Sequence, residues 1–216
     1  MSLFDYVSQH FARISQQVGE HAQVVLLSMV IATVLGVGLG LLVHRSRRAT
    51  DVALAVTGTF LTIPSFALFA LLIPVLGLGY PPTVVALVLY ALLPIVRNTV
   101  AGLESVDPAV MESARGMGLG TRQRLWRVQL PLAWPVILTG IRVSTIVVVG
   151  IAAIAAGVVN GPGLGGLIFG GLAEIGSSFA VNETWAGVLG VALVALAFDG
   201  AFVLLSRLTT SRGLRG

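Results

Sequence analysis

The chain has 216 residues, of which 56% are hydrophobic and 10% charged, with a mean hydropathy of +0.97. Those values exclude a soluble globular domain and indicate a polytopic membrane protein, one domain of packed helices over residues 1–216. A formal net charge of +4 and a pI near 10.6 would suit a nucleic-acid binder, but basic residues on a membrane protein report topology. The absence of cysteine excludes disulfides, thiolate zinc sites and iron–sulfur clusters, and every basic side chain is arginine.

The first apolar run has full spanning length, and Asp5 and Glu20 precede it beside a single arginine, Arg13. A retained first helix is therefore expected, not a cleavable leader. Before it, residues 1–21 carry Phe4, Tyr6, Val7, Phe11 and Ile14 in a weakly amphipathic pattern, which fits either a helix lying at the outer interface or an external tail. About 20 apolar residues cross a bilayer, and five spans emerge, at 22–43, 52–78, 83–103, 134–158 and 185–205. The second carries Pro64 and Pro74 and is expected to be kinked or in two pieces.

Arg45, Arg47 and Arg48 follow the first span, Arg115 to Arg127 the third, and Arg207, Arg212 and Arg215 the fifth. The positive-inside rule puts these segments in the cytoplasm, which leaves the N-terminus, the Gly79–Pro82 turn and the loop at 159–184 outside. The asymmetry accounts for the basic pI without a nucleic-acid partner. Within the outer loop, Leu164 to Leu172 is apolar but too short to span, so a re-entrant or interfacial helix is expected.

The cytoplasmic segment 104–131 is a polar, arginine-rich island in a greasy chain. Asp107-Pro108 starts a short helix by capping free N–H groups and placing proline where its missing N–H costs nothing. Gly116, Gly118 and Gly120 allow a positive-φ turn; Thr121 can then cap a second short helix that Pro131 is expected to stop. The result is an elbow along the membrane surface.

Glu112-Ser113-Ala114, Gly118, Val128 and Leu130-Pro131, at this spacing, resemble the EAA loop of permease subunits in bacterial ABC importers. Ser113 replaces the usual alanine and Val128 the usual isoleucine. The resemblance implies an all-α, type I importer permease in the bacterial plasma membrane, with the loop inserted into a groove on a cytoplasmic ATPase. Glu112, Ala114 and Gly118 would be docking positions, and Ser113, Val128, Leu130 and Pro131 complete the motif. It also implies a dimer of ATPase subunits that bind ATP and Mg, a second permease copy or paralogue, and an extracytoplasmic substrate-binding protein. No cofactor is expected in this chain itself. The runs GTFLTIPSFALFALLIPVLGLG, ALVLYALLPIVRNTVAGLESVDPAVMESARGMG, LPLAWPVILTGIRVSTIVVVGIAAIAAG and GPGLGGLIFGGL resemble the osmoprotectant branch, whose members import glycine betaine, carnitine, choline or related compounds. A permease for another solute, such as methionine, is the alternative within the class; an ion-coupled secondary transporter is the alternative outside it.

No Walker lysine motif is present, so the chain is not expected to hydrolyse ATP. Gly161, Gly163 and Gly166 spell GxGxxG but follow a membrane span and lie in no βαβ unit. With Gly165 they are expected to serve close helix approach and a flexible outer gate. His10, His21 and His44 are scattered without other ligands, no nucleophile and base share helical spacing within a span, and neither a metal site nor a catalytic residue is expected. Three ionisable residues lie inside spans, Arg97, Arg142 and Asp199, and each needs a partner. Arg142 and Asp199 both lie about 12 Å from the cytoplasmic ends of their spans at 1.5 Å per residue. Asp199 is therefore expected to pair with Arg142, with Arg97 as the alternative partner, in a structural role.

Overall fold

The computed structural model describes residues 2–209 and is helical throughout, with no strand among those residues. The outermost part of the C-terminal tail, including Arg212 and Arg215, lies outside the described residues. In chain order the helices are α1 (Leu3–Gln9), α2 (Phe11–Val43), α3 (Arg47–Thr62), α4 (Ser65–Leu76), α5 (Tyr80–Glu104), α6 (Pro108–Gly116), α7 (Thr121–Arg124), α8 (Leu130–Val159), α9 (Gly165–Ala173) and α10 (Ala180–Thr209). A π-helical turn, Leu125–Gln129, joins α7 to α8. Among the described residues four helices are long and apolar enough to cross a membrane: α2, α5, the continuous Thr121–Val159 unit and α10. The pair α3 and α4 is a fifth candidate, bent by 97°.

That bend falls at Ile63-Pro64, where proline removes the N–H that would continue the ladder. The carbonyl of Ile63 is not left bare in an apolar setting, because the Tyr90 hydroxyl on α5 donates to it. Pro74 does not break its helix; it lies in the last turn of α4, which ends at Gly77 with φ +72°.

Helix α5 is the centre of the bundle, and glycines let its neighbours approach. On α2, a Cβ added at Gly36 would lie 2.7 Å from Ile95, and one at Gly40 would lie 2.6 Å from Thr99. On the other side Gly102 fits under Ala133 of α8, and Gly140 of α8 fits against Pro94 and Asn98. Between lipid-soluble helices, close backbone approach supplies the packing that hydrophobic exclusion cannot. Buried hydroxyls satisfy themselves locally: Thr99 and Thr145 donate to carbonyls four residues back, and Ser144 donates across to Ala91 on α5 at 3.0 Å.

The N-terminal segment is helical, as one of the two expectations for residues 1–21 has it, but it is packed on the bundle. It is not a free tail, because α2 already begins at Phe11 and α1 docks on α10. Tyr6 is fully buried and stacks on His10 at 4.3 Å, and Arg13 reaches buried Glu183 of α10 at 3.1 Å. Burial, and then the Glu183 carboxylate, pushes the Tyr6 phenol above its usual range. The sequence pattern could not show this, since Glu183 lies in a segment that reads as loop and its neighbours, Arg13 of α2 and Gly170 of α9, come from other helices.

Contacts between helices sort the loops. Gln129 bonds to Leu103, Trp134 to Thr209, and Gly40 lies on Thr99, so the segments carrying Arg45 to Arg48, Arg115 to Arg127 and Arg207 share one end of the bundle. Gly79 bonds to Val159 at the opposite end, at 2.6 Å. Gly40→Val should overpack the α2–α5 contact and cost about 1–3 kcal/mol. Gly38→Ala, with nothing within 4 Å of the new Cβ, should be neutral or stabilising by up to about 1 kcal/mol. Thermal unfolding of the purified protein in detergent checks both.

Candidate functional site

The polar elbow is built as local chemistry dictates. Asp107 accepts the Ala109 N–H at 2.8 Å to start α6. The helix ends in paired bonds, Leu119 N–H to Ala114 and Gly118 N–H to Arg115, around Gly118 at φ +80°. This termination needs a left-handed residue just past the helix, and only glycine adopts that conformation freely. Glu112 and Ser113 point to solvent, Ala114 is 1% exposed, and open space surrounds the position of an added Cβ at Gly118. The elbow thus presents a carboxylate, a small hydroxyl and a notch, backed by a buried alanine.

Beyond the turn the structure differs from expectation in two ways. Thr121 is not the cap: Gly120 precedes the helix, and the Gln123 side chain accepts the Gly120 N–H at 3.0 Å. Pro131 does not stop the helix either. The π turn widens the ladder just before it, so that Leu130 N–H bonds to Leu125 five residues back, and the helix passes through Pro131 into α8. Val128 and Leu130 are half-buried on this join and Pro131 is exposed. Gln129, which the motif does not mark, donates to Leu103 at 3.0 Å and ties the join to the end of α5. Its sequence signal is only a glutamine near a helix entry.

At the opposite end the outer glycines are tightly packed. A Cβ on Gly161 would lie 2.7 Å from Thr83; on Gly163, at φ +102°, 2.7 Å from His21; on Gly165, 1.9 Å from the Ala153 carbonyl; and on Gly166, 3.3 Å from Gln17. All four positions are in close contact with neighbouring residues. The short apolar segment forms α9. His21 is buried and bonds to the Val149 carbonyl at 3.1 Å, while His10 and His44 bond to backbone of their own turns. Among the described residues no three His, Cys, Asp or Glu side chains cluster as a metal site would require.

Of the intramembrane ionisable residues, the structure brings together two. Arg142 of α8 donates through Nε and Nη2 to the two oxygens of Asp199 on α10, at 2.6 and 2.8 Å, a parallel two-bond geometry that fixes the pair. Arg97 is exposed on α5 and makes no ion pair among the described residues.

Residues 32–211 match the family described as binding-protein-dependent transport system inner membrane component. Among curated proteins, the chain is 37% identical to the osmoprotectant import permease protein OsmW of Salmonella typhimurium, over the whole length of both. It is 34% identical to the glycine betaine/carnitine/choline transport system permease protein OpuCB of Bacillus subtilis, over 92% of this chain and 89% of that one. Among solved structures, a chain of the MetNI methionine ABC transporter in inward-facing conformation superposes with a TM-score of 0.78 at 22% identity, over 92% of this chain and 96% of that one; this likeness shows the fold.

Asp199→Asn should lower the thermal midpoint of the purified protein by stranding Arg142. The double substitution Arg142→Met with Asp199→Leu should cost less than either single change, because removing both charges leaves neither unpaired. Equal, additive losses would contradict the pairing. With a helical bundle of four to five candidate spans, a permease fold and relatives matched end to end, this chain belongs to the inner-membrane components of binding-protein-dependent transport systems.

Proposed function

We propose that the chain is the permease subunit of an ATP-driven importer for quaternary-ammonium osmoprotectants such as glycine betaine, carnitine or choline. The printed functions of relatives matched over nine-tenths or more of this chain support the substrate class. The exposed Glu112 and Ser113 beside the open notch at Gly118 support a docked partner. In this reading the arginine-bearing end faces the cytoplasm, the N-terminus lies outside, and the elbow sits in a groove on an ATPase that binds ATP and Mg. A second permease completes the passage, and a binding protein delivers the solute from outside.

The observation that carries the mechanism is the continuity of the elbow with the membrane. Residues Thr121 to Val159 form one 39-residue helical unit, so a partner that displaces the elbow moves a membrane helix directly. The Gln129 tie to Leu103 passes the same displacement to α5. Two states of the ATPases would then bias two states of the bundle, one open to each side.

Gly118→Asp should abolish ATP-driven uptake in reconstituted vesicles while the bundle stays folded, since the new side chain fills the notch and strains only a surface turn. Gly118→Asn tolerates positive φ and so separates notch filling from backbone strain; it should also impair uptake, by about tenfold if roughly 1.4 kcal/mol of docking energy is lost. Full uptake and full ATPase retention in both variants would refute the coupling assignment. Uptake that survives ATP depletion and collapses with an ion gradient would instead favour a secondary transporter.

A further inference from the structure

On α5 nearly every side-chain direction in the cytoplasmic half is occupied. Ile95 and Thr99 meet the glycines of α2; Pro94, Asn98 and Gly102 meet α8; and Leu93 lies nearest the Cβ position of Gly58 on α3. The uncovered strip is Arg97, Ala101 and Glu104, spaced four and three residues apart and hence on one face. It descends toward α6, the first half of the elbow.

Arg97 lies seven residues inside the helix end, about 10 Å at 1.5 Å per residue. Of Arg97, Arg142 and Asp199, the three ionisable side chains that the sequence places inside spans, Arg142 and Asp199 satisfy each other. Among the described residues Arg97 makes no ion pair, and it lies on the span with the largest buried share; such a charge marks a polar passage or a ligand. Its forked donors match a carboxylate, to which they can give two parallel bonds, and they repel an ammonium group.

Resting on the osmoprotectant reading, we propose that Arg97 binds the carboxylate of zwitterionic substrates in transit and thereby selects betaines over choline. Glycine betaine and carnitine carry a carboxylate beside the trimethylammonium group; choline carries a hydroxyl instead. Arg97 orients the zwitterion by its acidic end and gives choline no attraction to offset charge repulsion.

The test is ATP-driven uptake of glycine betaine and of choline by the complex reconstituted with its ATPase and saturating binding protein, comparing wild type, Arg97→Gln and Arg97→Lys. Arg97→Gln should lower the maximal rate for glycine betaine about tenfold, the worth of one charge-assisted bond, and leave choline within about twofold or faster. Arg97→Lys should recover part of the betaine rate. Unchanged betaine uptake in Arg97→Gln would overturn the proposal, showing a guanidinium that merely reaches lipid headgroups. Equal loss of both solutes, or failure of both variants to assemble with the ATPase, would overturn it in favour of a pairing role against the second permease. A wild-type complex importing choline alone also overturns it, with the osmoprotectant reading intact. Import of neither compound by wild type defeats that reading itself, and the Arg97 assignment with it.

Discussion

Every backbone polar group inside a bilayer must find its partner within the protein, and the rest of this structure follows from that constraint. It makes every candidate span helical, and it explains why the single sharp break, at Ile63-Pro64, is covered by the Tyr90 hydroxyl. Helices with satisfied backbones and apolar side chains gain little from hydrophobic exclusion when the solvent is lipid. They hold together here by shape: Gly36 and Gly40 admit Ile95 and Thr99 on one side of α5, and Gly140 admits Pro94 and Asn98 on the other. The charged pair Arg142 and Asp199 adds a fixed register between α8 and α10.

In the proposed mechanism a bundle packed in this way shifts as whole helices. Mechanical input then has to enter where a rod leaves the membrane. In that mechanism the elbow supplies the entry, because its second limb, α7, runs on into α8 as one helical unit and the join is tied to α5 through Gln129. The π turn between them lets Pro131 reside in a continuous helix and places the widest, least regular turn where the rod meets the surface. At the far end Gly163, in the turn before α9, and Gly166 of α9 lie against His21 and Gln17 of α2.

Much of this was legible in the sequence, for reasons that differ by element. Long apolar runs locate α5, α8 and α10 to within a few residues, because span length is dictated by the bilayer. The Asp107 cap and the Gly118 turn were legible because they depend on residues close in the chain. Pro131 misled because a proline's effect depends on the ladder before it, and a π turn leaves no clear sequence mark. The docking of α1 was hidden because it rests on Glu183, far along the chain. Close approach of the outer glycines was expected from the sequence, but their neighbours His21 and Gln17 were not, because these come from a distant helix. The spacing of Gly36 and Gly40, by contrast, was a packing signal open to reading.

The central claim is that the elbow is the contact between this membrane chain and a soluble ATPase. The sequence contains no cysteine, so one introduced at exposed Ser113 is a unique chemical handle. Thiol crosslinking of Ser113→Cys in native membranes, followed by mass spectrometry of the adduct, should yield a cytoplasmic ATP-binding subunit. It should also be blocked only by thiol reagents added from the cytoplasmic face. Labelling from the outer face, or adducts that contain no ATPase while the assembled complex is present, would contradict the account.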